Sequence, residues 1–474
     1  MLQVLRILER AASDPRVAGV LLRLKGVPGG FARVASLRRA TLAVREAGKP
    51  VVAWSESYAG LDLWLASAAQ RVVLPPSGSV HWTGLRFEAF YWKGLLAQLG
   101  IQAQLVKAGE FKSAGEALTR DSMSTEQREQ QEALLEDVWG ALVADVAAGR
   151  SLTPDRVRSL ADQGPHAALA ARKGGLVDAC LYPDELEALL LELAPGVQQG
   201  AHPSLVDARL YAALGALDAG WWPLHREPPH LAYVIARGPI GRTRSSRSVG
   251  QEPYRRLLEE LAQDERVHGV VLRIDSPGGE VVSSDLLGRA VARLAARKPV
   301  VVSMGDAAAS GGYMMAAGAQ AIVAEAGTLT GSIGVLGGKL DLSGLYERLG
   351  VRKDGVSRGE RAGILSEARA FTQAEDQALR VGIRSLYTHF VEQVAVGRGM
   401  TAGDVDRAGR GRVWSGRRAL GLGLVDRLGG PLEALSELRR RAGIPDGERV
   451  VLDIHPRRKR LPSLRDWLPF SPAG

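Results

Sequence analysis

Two halves of this chain nearly repeat one another. DPRVAGVLL at 14–22 returns as DERVHGVVL at 264–272, an offset of 250 residues. GVPGG at 26–30 answers DSPGG at 275–279, and GKPVVAW at 48–54 answers RKPVVVS at 297–303, both at offset 249. GLVD closes each stretch, at 175–178 and again at 423–426. Such a period is far above the ~20–50 residues of solenoid repeats, so the chain builds one kind of domain twice. The 474 residues divide accordingly into a first domain over 1–195, a linker over 196–230, a second domain over 231–442 and a basic tail over 443–474. The linker is rich in Pro, Gly and Trp and reads as loop with a short helix.

Within each unit, short β-branched or Leu-rich runs alternate with amphipathic helical stretches. Strand-like runs cover 267–274, 299–304 and 321–323, and helical patterns cover 284–297, 374–396 and 124–148. This is the grammar of an α/β fold. The strand-like LAYVIARGPI at 231–240 precedes the second unit, and nothing equivalent precedes Leu2. The first unit is therefore expected to begin a strand short, either because the strand is absent or because the native start lies upstream, with room there for an anchor or signal.

Charge and cysteine usage narrow the function classes. The net charge of +9 invites a nucleic-acid partner, but the basic residues are interspersed with 52 acidic ones and no nucleic-acid-binding motif is present. The single cysteine, Cys180, excludes an intramolecular disulfide framework and a cysteine-based zinc cluster. No apolar run reaches the ~18 residues of a transmembrane helix, and Met1 opens an amphipathic segment instead of a signal peptide. In the tail, Arg457, Arg458, Lys459 and Arg460 precede Trp467 and Phe470, a combination suited to an anionic membrane surface or to a solvated tail.

The segment GDAAASGGY at 305–313 puts Ser310 in a turn of small residues just before a helix-like run. Small neighbours let a substrate backbone approach a hydroxyl, and the N–H after the serine faces a developing oxyanion. Ser310 follows the aspartate of DSPGG by 35 residues and precedes TLTGSIGV at 328–335. With EFKSAGEALTRDSMS at 110–124, these motifs resemble the signal peptide peptidases of serine peptidase family S49, in their long duplicated form. The resemblance covers nearly the whole chain. It implies two tandem ClpP/crotonase-like domains of spiralled β-β-α units, a homotetrameric bowl, released signal peptides as substrates, and an extracytoplasmic, membrane-associated location. It also implies Ser310 as nucleophile, Lys112 as base, Ser332 as the residue orienting that lysine, and Gly278 and Gly311 as oxyanion donors, with Gly279 a near alternative to Gly278. No metal or organic cofactor is required.

The residues themselves can be asked whether this chemistry is coherent. None of the eight histidines, His81, His166, His202, His225, His230, His268, His389 and His455, sits in a motif that would make it a base. A lysine base must be neutral, whereas an ordinary lysine with pKa about 10.4 is almost wholly protonated at pH 7. Burial has to lower that pKa by about three units, at roughly 4 kcal/mol. Offset 249 puts Leu61 where the second unit has Ser310, and offset 250 puts Ala362 where the first has Lys112. Each unit thus lacks what the other holds, and one site completed across both halves accounts for both gaps. Two other readings share parts of this pattern: a crotonase-like acyl-CoA enzyme, and a non-catalytic scaffold.

Overall fold

The computed structural model describes residues 1–194, 205–217, 228–243 and 248–456. The α/β class and the tandem duplication are both observed. In the first unit the strands Val20–Arg23, Val51–Trp54, Arg71–Leu74 and Ala179–Cys180 form a parallel sheet in that spatial order. The second unit builds the same core from Val267–Ser276, Val300–Ala309, Ala321–Ala324 and Arg427–Leu428, again parallel. Parallel strands are covered on both faces, which is why VVL at 270–272 and VVV at 300–302 read as unbroken apolar runs. Val270, Val300, Val301 and Val302 are fully buried.

The second sheet continues beyond the repeat. His230–Arg237 pairs with Val267–Ser276, and Val451–His455 pairs in turn with His230–Arg237. Residues 451–455, expected in the tail, are therefore an edge strand, because Val451 and Leu452 find the open backbone of His230 and Leu231. The first unit has no counterpart to these two strands among the described residues. Of the linker, residues 205–217, with the helix Ala208–Leu217, and residues 228–230 are described; 196–204 and 218–227, and the tail residues Arg457 to Arg460, Trp467 and Phe470, lie outside the described residues.

One bend places the site. The strand Val300–Ala309 pairs with Ala321–Ala324 through Val301 to Ser303, then with Leu329–Gly331 through Ala307 to Ala309. Between these pairings its register against Val267–Ser276 slips: Ile274 faces Met304, but Ser276 faces Ala308. This bulge over Gly305 to Ala307 turns the strand out of the main sheet into a small second one. Leu329–Gly331 is closed there by Val413–Ser415, antiparallel. The first unit repeats the small sheet with Ser57–Ala59, Ser79–His81 and His166–Ala167. Ala59 pairs with His81 as Ala309 pairs with Gly331, so the residue matching Ser310 is Gly60, not Leu61. The bulge accounts for the extra residue, and the absence of a nucleophile at that place is unchanged.

The two units share an antiparallel ribbon in which Gln102–Ala108 of the first pairs over its whole length with Val335–Asp341 of the second. The helix Thr125–Arg150 leans on the second unit as well. Its Gln130 accepts from the Val413 N–H at 2.7 Å, and Asp137 meets Arg418 at 2.6 Å.

Candidate active site

Ser310 ends the bent strand and caps the helix Gly311–Ala316. Its backbone sits at φ 54° and ψ −121°, a conformation that non-glycine residues adopt only under constraint. The constraint is visible: Ser310 N–H donates to Gly331 O at 2.8 Å, and Ser310 O accepts from Met314 N–H at 2.9 Å. The glycines that follow are required by packing. A Cβ on Gly311 would lie 2.1 Å from Ser284 Oγ, and one on Gly312 would lie 2.8 Å from Ser276 O. Small side chains here seat the helix against the SPGG turn, a reason distinct from the substrate access inferred from sequence.

Lys112 reaches this serine from the other unit. The shared ribbon ends at Ala108, and the loop after it is pinned by Phe111 N–H donating to Arg410 O at 2.9 Å and Lys112 N–H donating to Gly109 O at 3.1 Å. Lys112 Nζ lies 3.0 Å from Ser310 Oγ, 3.0 Å from Ser332 Oγ and 3.0 Å from Ser332 O. The lysine is 7% exposed, and no carboxylate lies among these contacts. Burial, unopposed by a counter-charge, pulls its pKa down from 10.5 to about 8. A neutral amine has two N–H donors and one lone pair, which matches two Ser332 acceptors and one hydroxyl proton from Ser310.

The turn 276–279 approaches from the far side. Gly278 has φ 102°, and a Cβ there would lie 2.8 Å from Ser310 Cβ and 2.7 Å from Gly311 N. Gly278 N–H already donates to Ser276 Oγ at 3.2 Å, and Gly278 O accepts from Ile240 N–H at 2.9 Å. Among the described residues, the N–H groups of Gly279 and Gly311 have no protein acceptor. A Cβ on Gly311 would come 3.3 Å from Gly279 N, so the two residues are close neighbours. Gly279 is thus better placed as second donor than Gly278, because its hydrogen remains uncommitted.

Sequence reasoning missed the segment Gly409 to Arg412. Arg410 O holds Phe111 as above, Arg412 O accepts from Ser332 N–H at 2.7 Å, and Gly411 N–H donates to Ile333 O at 2.7 Å. One short loop therefore ties the lysine loop to Ser332. The Arg412 guanidinium stacks 4.5 Å above both the Phe111 and Trp414 rings. The paired glycines of GRGR were the one available signal: Gly411, at φ 78°, lies so close to Lys112 that a Cβ would collide with the lysine's backbone. The described histidines are engaged elsewhere. His166, for instance, contacts Leu160 O at 2.7 Å, and His230 pairs with Asp453; His202 and His225 lie outside the described residues.

Comparison with known proteins shows the family. The model of Peptidase family S49 matches twice, at residues 43–195 and 292–445. The chain is 32% identical to a chloroplastic serine protease, SPPA, of Arabidopsis thaliana over 94% of its own length and 66% of that protein's. It is 31% identical to Protease 4 of Salmonella typhi, covering 90% of this chain and 70% of that one. An Enterococcus faecium protein whose name proposes a signal peptide peptidase, SppA, is 33% identical over 45% of this chain and 64% of its own. The chain thus spans about two thirds of the length of these relatives. Likeness to the solved ClpP1 of Listeria monocytogenes is slight, with a TM-score of 0.27 and 14% identity over 45% of this chain and 94% of that one. Matched by the family model in both of its repeats and by named proteases along nine tenths of its length, the chain belongs to peptidase family S49, a family of serine-type peptidases.

Proposed function

We propose that this chain is a serine endopeptidase whose Ser310 and Lys112 form a dyad split between its duplicated halves. The observation that carries the reading is the 3.0 Å contact of Lys112 Nζ with Ser310 Oγ, made by a buried amine with no carboxylate partner. Neutral Lys112 takes the Ser310 proton as the oxygen attacks a peptide carbonyl carbon. Gly279 and Gly311 N–H groups bind the resulting oxyanion, and the lysine ammonium returns the proton to the departing amine. Water, deprotonated by the same amine, then releases the acyl group and restores the serine. Ser332 keeps the amine aimed by accepting its two remaining hydrogens.

Hydrophobic peptides, signal peptide remnants among them, are the substrates of this proposal. Val282 and Leu286 are exposed on the helix that follows the SPGG turn, which suits an extended apolar segment laid beside it. The name of the Enterococcus faecium relative points the same way. Assembly as a homotetramer and work at an extracytoplasmic membrane face belong to the same reading. Among the described residues no helix is long and apolar enough to cross a membrane.

The test is hydrolysis of a hydrophobic peptide by the full chain beside Ser310→Ala and Lys112→Ala, with fluorophosphonate labelling in parallel. Both variants are expected to lose activity, and the label is expected on Ser310 alone. Full activity in Lys112→Ala would remove the dyad; an unlabelled, inert wild type would favour a scaffold.

A further inference from the structure

The first unit keeps a glycine turn, GVPGG at 26–30, although it has no nucleophile for that turn to serve. Gly29 there matches Gly278 and has the same left-handed backbone, φ 129° against 102°. Two N–H groups of this turn, those of Val27 and Gly30, are nevertheless engaged by carboxylates. Val27 N–H donates to Asp62 Oδ1 at 2.7 Å, from its own unit. Gly30 N–H, the counterpart of the uncommitted Gly279 N–H, donates to Asp306 Oδ2 at 2.9 Å, from the other unit. Arg33 N–H donates to Asp306 Oδ1 at 3.0 Å, and the Arg33 guanidinium lies 3.5 Å from Asp306 and 3.4 Å from Asp275. The fit is tight, since a Cβ on Gly30 would sit 2.8 Å from Asp306 Cγ.

Asp306 occupies a telling place. It lies in the bulge where the nucleophile strand leaves the main sheet, four residues before Ser310. Asp275, the other carboxylate facing Arg33, opens the SPGG turn and accepts weakly from Ala307 N–H at 3.4 Å. Arg237 approaches Asp275 at 3.6 Å from the neighbouring strand. The clamp therefore grips, from the first unit, both strand ends that carry the reacting groups of the second.

We propose that the glycine turn of the first unit has become an anion clamp for Asp306, and that Asp306 and Arg33 are positioning residues which set the aim of Ser310. The duplicate oxyanion turn binds a permanent carboxylate in place of a transient oxyanion. Fixing the bend through two backbone N–H groups and one guanidinium holds the hydroxyl against Lys112 and the Gly279 and Gly311 donors. Displacement of a reacting group by about 1 Å costs on the order of a hundredfold in rate, so a lost grip four residues away registers in catalysis.

This inference rests on the serine peptidase reading, and the two fail in different ways. Wild type, Asp306→Asn, Gly30→Ala and Arg33→Met are compared as full chains for peptide hydrolysis, for the rate of fluorophosphonate labelling and for its final stoichiometry. Asp306→Asn and Gly30→Ala are expected to lower kcat and the labelling rate by about ten- to a hundredfold, with KM within about twofold and labelling still reaching full stoichiometry. Arg33→Met should show a smaller loss of the same kind. A labelling rate unchanged in Asp306→Asn and Gly30→Ala would overturn the proposal. So would stoichiometry that falls with the folded fraction at an unchanged rate, since the clamp would then serve stability alone. Wild type that takes no label would sink the serine reading itself.

Discussion

At the scale of single residues, Lys112 carries the strongest consequences. Its amine must be neutral to accept a proton, and burial brings its pKa to about 8. kcat/KM should therefore rise about tenfold per pH unit below that value and level off above it, measured between pH 6 and 10. The same depression has a stability side. Below about pH 8 both folded and unfolded chains hold the proton, and the folded state bears the full cost of the buried charge, on the order of 3 kcal/mol for a fall from 10.5 to about 8. Between about 8 and 10.5 the unfolded chain binds more protons than the folded one, so stability climbs with pH and the cost is gone above 10.5. Lys112→Met, inactive, is expected to unfold at a higher temperature than wild type at pH 7, with the gap closing toward pH 10. A gap independent of pH would show that this lysine is not the group responsible. Both the serine and the lysine were legible as motifs. Burial of the amine is what that chemistry requires; the lack of a counter-ion was not legible, because it depends on what two separate loops leave out.

At the scale of elements, the sequence runs announced the parallel core strands, whose two covered faces demand continuous apolar residues. Less visible were the short pieces whose partners are remote. Val451–His455 reads as tail in the sequence because a five-residue edge strand carries little pattern of its own, and it is recruited by open backbone on His230–Arg237. The loop 409–412 was unread for the same reason: its role is to donate and accept backbone hydrogen bonds, which any residue can do. Its glycines set a prediction. A Cβ on Gly411 would lie 2.5 to 2.7 Å from the N, Cα and Cβ of Lys112, at a backbone φ of 78° that disfavours side chains. Gly411→Ala is expected to displace the lysine loop and slow Ser310 labelling by about tenfold or more, although it alters neither reacting residue. Labelling at the wild-type rate would mean that the loop yields without moving the amine.

At the scale of the molecule, the site exists only while the two units are held together. One part-buried network contributes to this: Glu325, 3% exposed, accepts from Ser36 Oγ at 2.5 Å and from Arg39 at 2.5 and 3.0 Å. Arg39 also reaches Glu433 at 2.6 Å. Removing the arginine leaves the buried Glu325 carboxylate with Ser36 alone, so Arg39→Met, at a side chain 41% exposed and partly screened by solvent, should destabilise the chain by about 1–3 kcal/mol, read from denaturant unfolding. Activity should fall in step with the folded fraction while the labelling rate of folded molecules stays near wild type, unlike the Asp306 variants. A change under about 0.5 kcal/mol would mean that the ribbon and the helix Thr125–Arg150 suffice to hold the halves. By itself the sequence determined the duplication, the α/β class and the reciprocal loss of serine and lysine, because repeats, periodicity and spacing are properties of the chain read along its length. Only the tertiary structure decided that Lys112 lies 3.0 Å from Ser310, that Gly278 spends its N–H within its own turn, and that a glycine turn without a nucleophile grips Asp306. Those are distances and hydrogen-bond assignments between residues as many as 276 positions apart, fixed by how the two sheets pack and invisible to any pattern of neighbours.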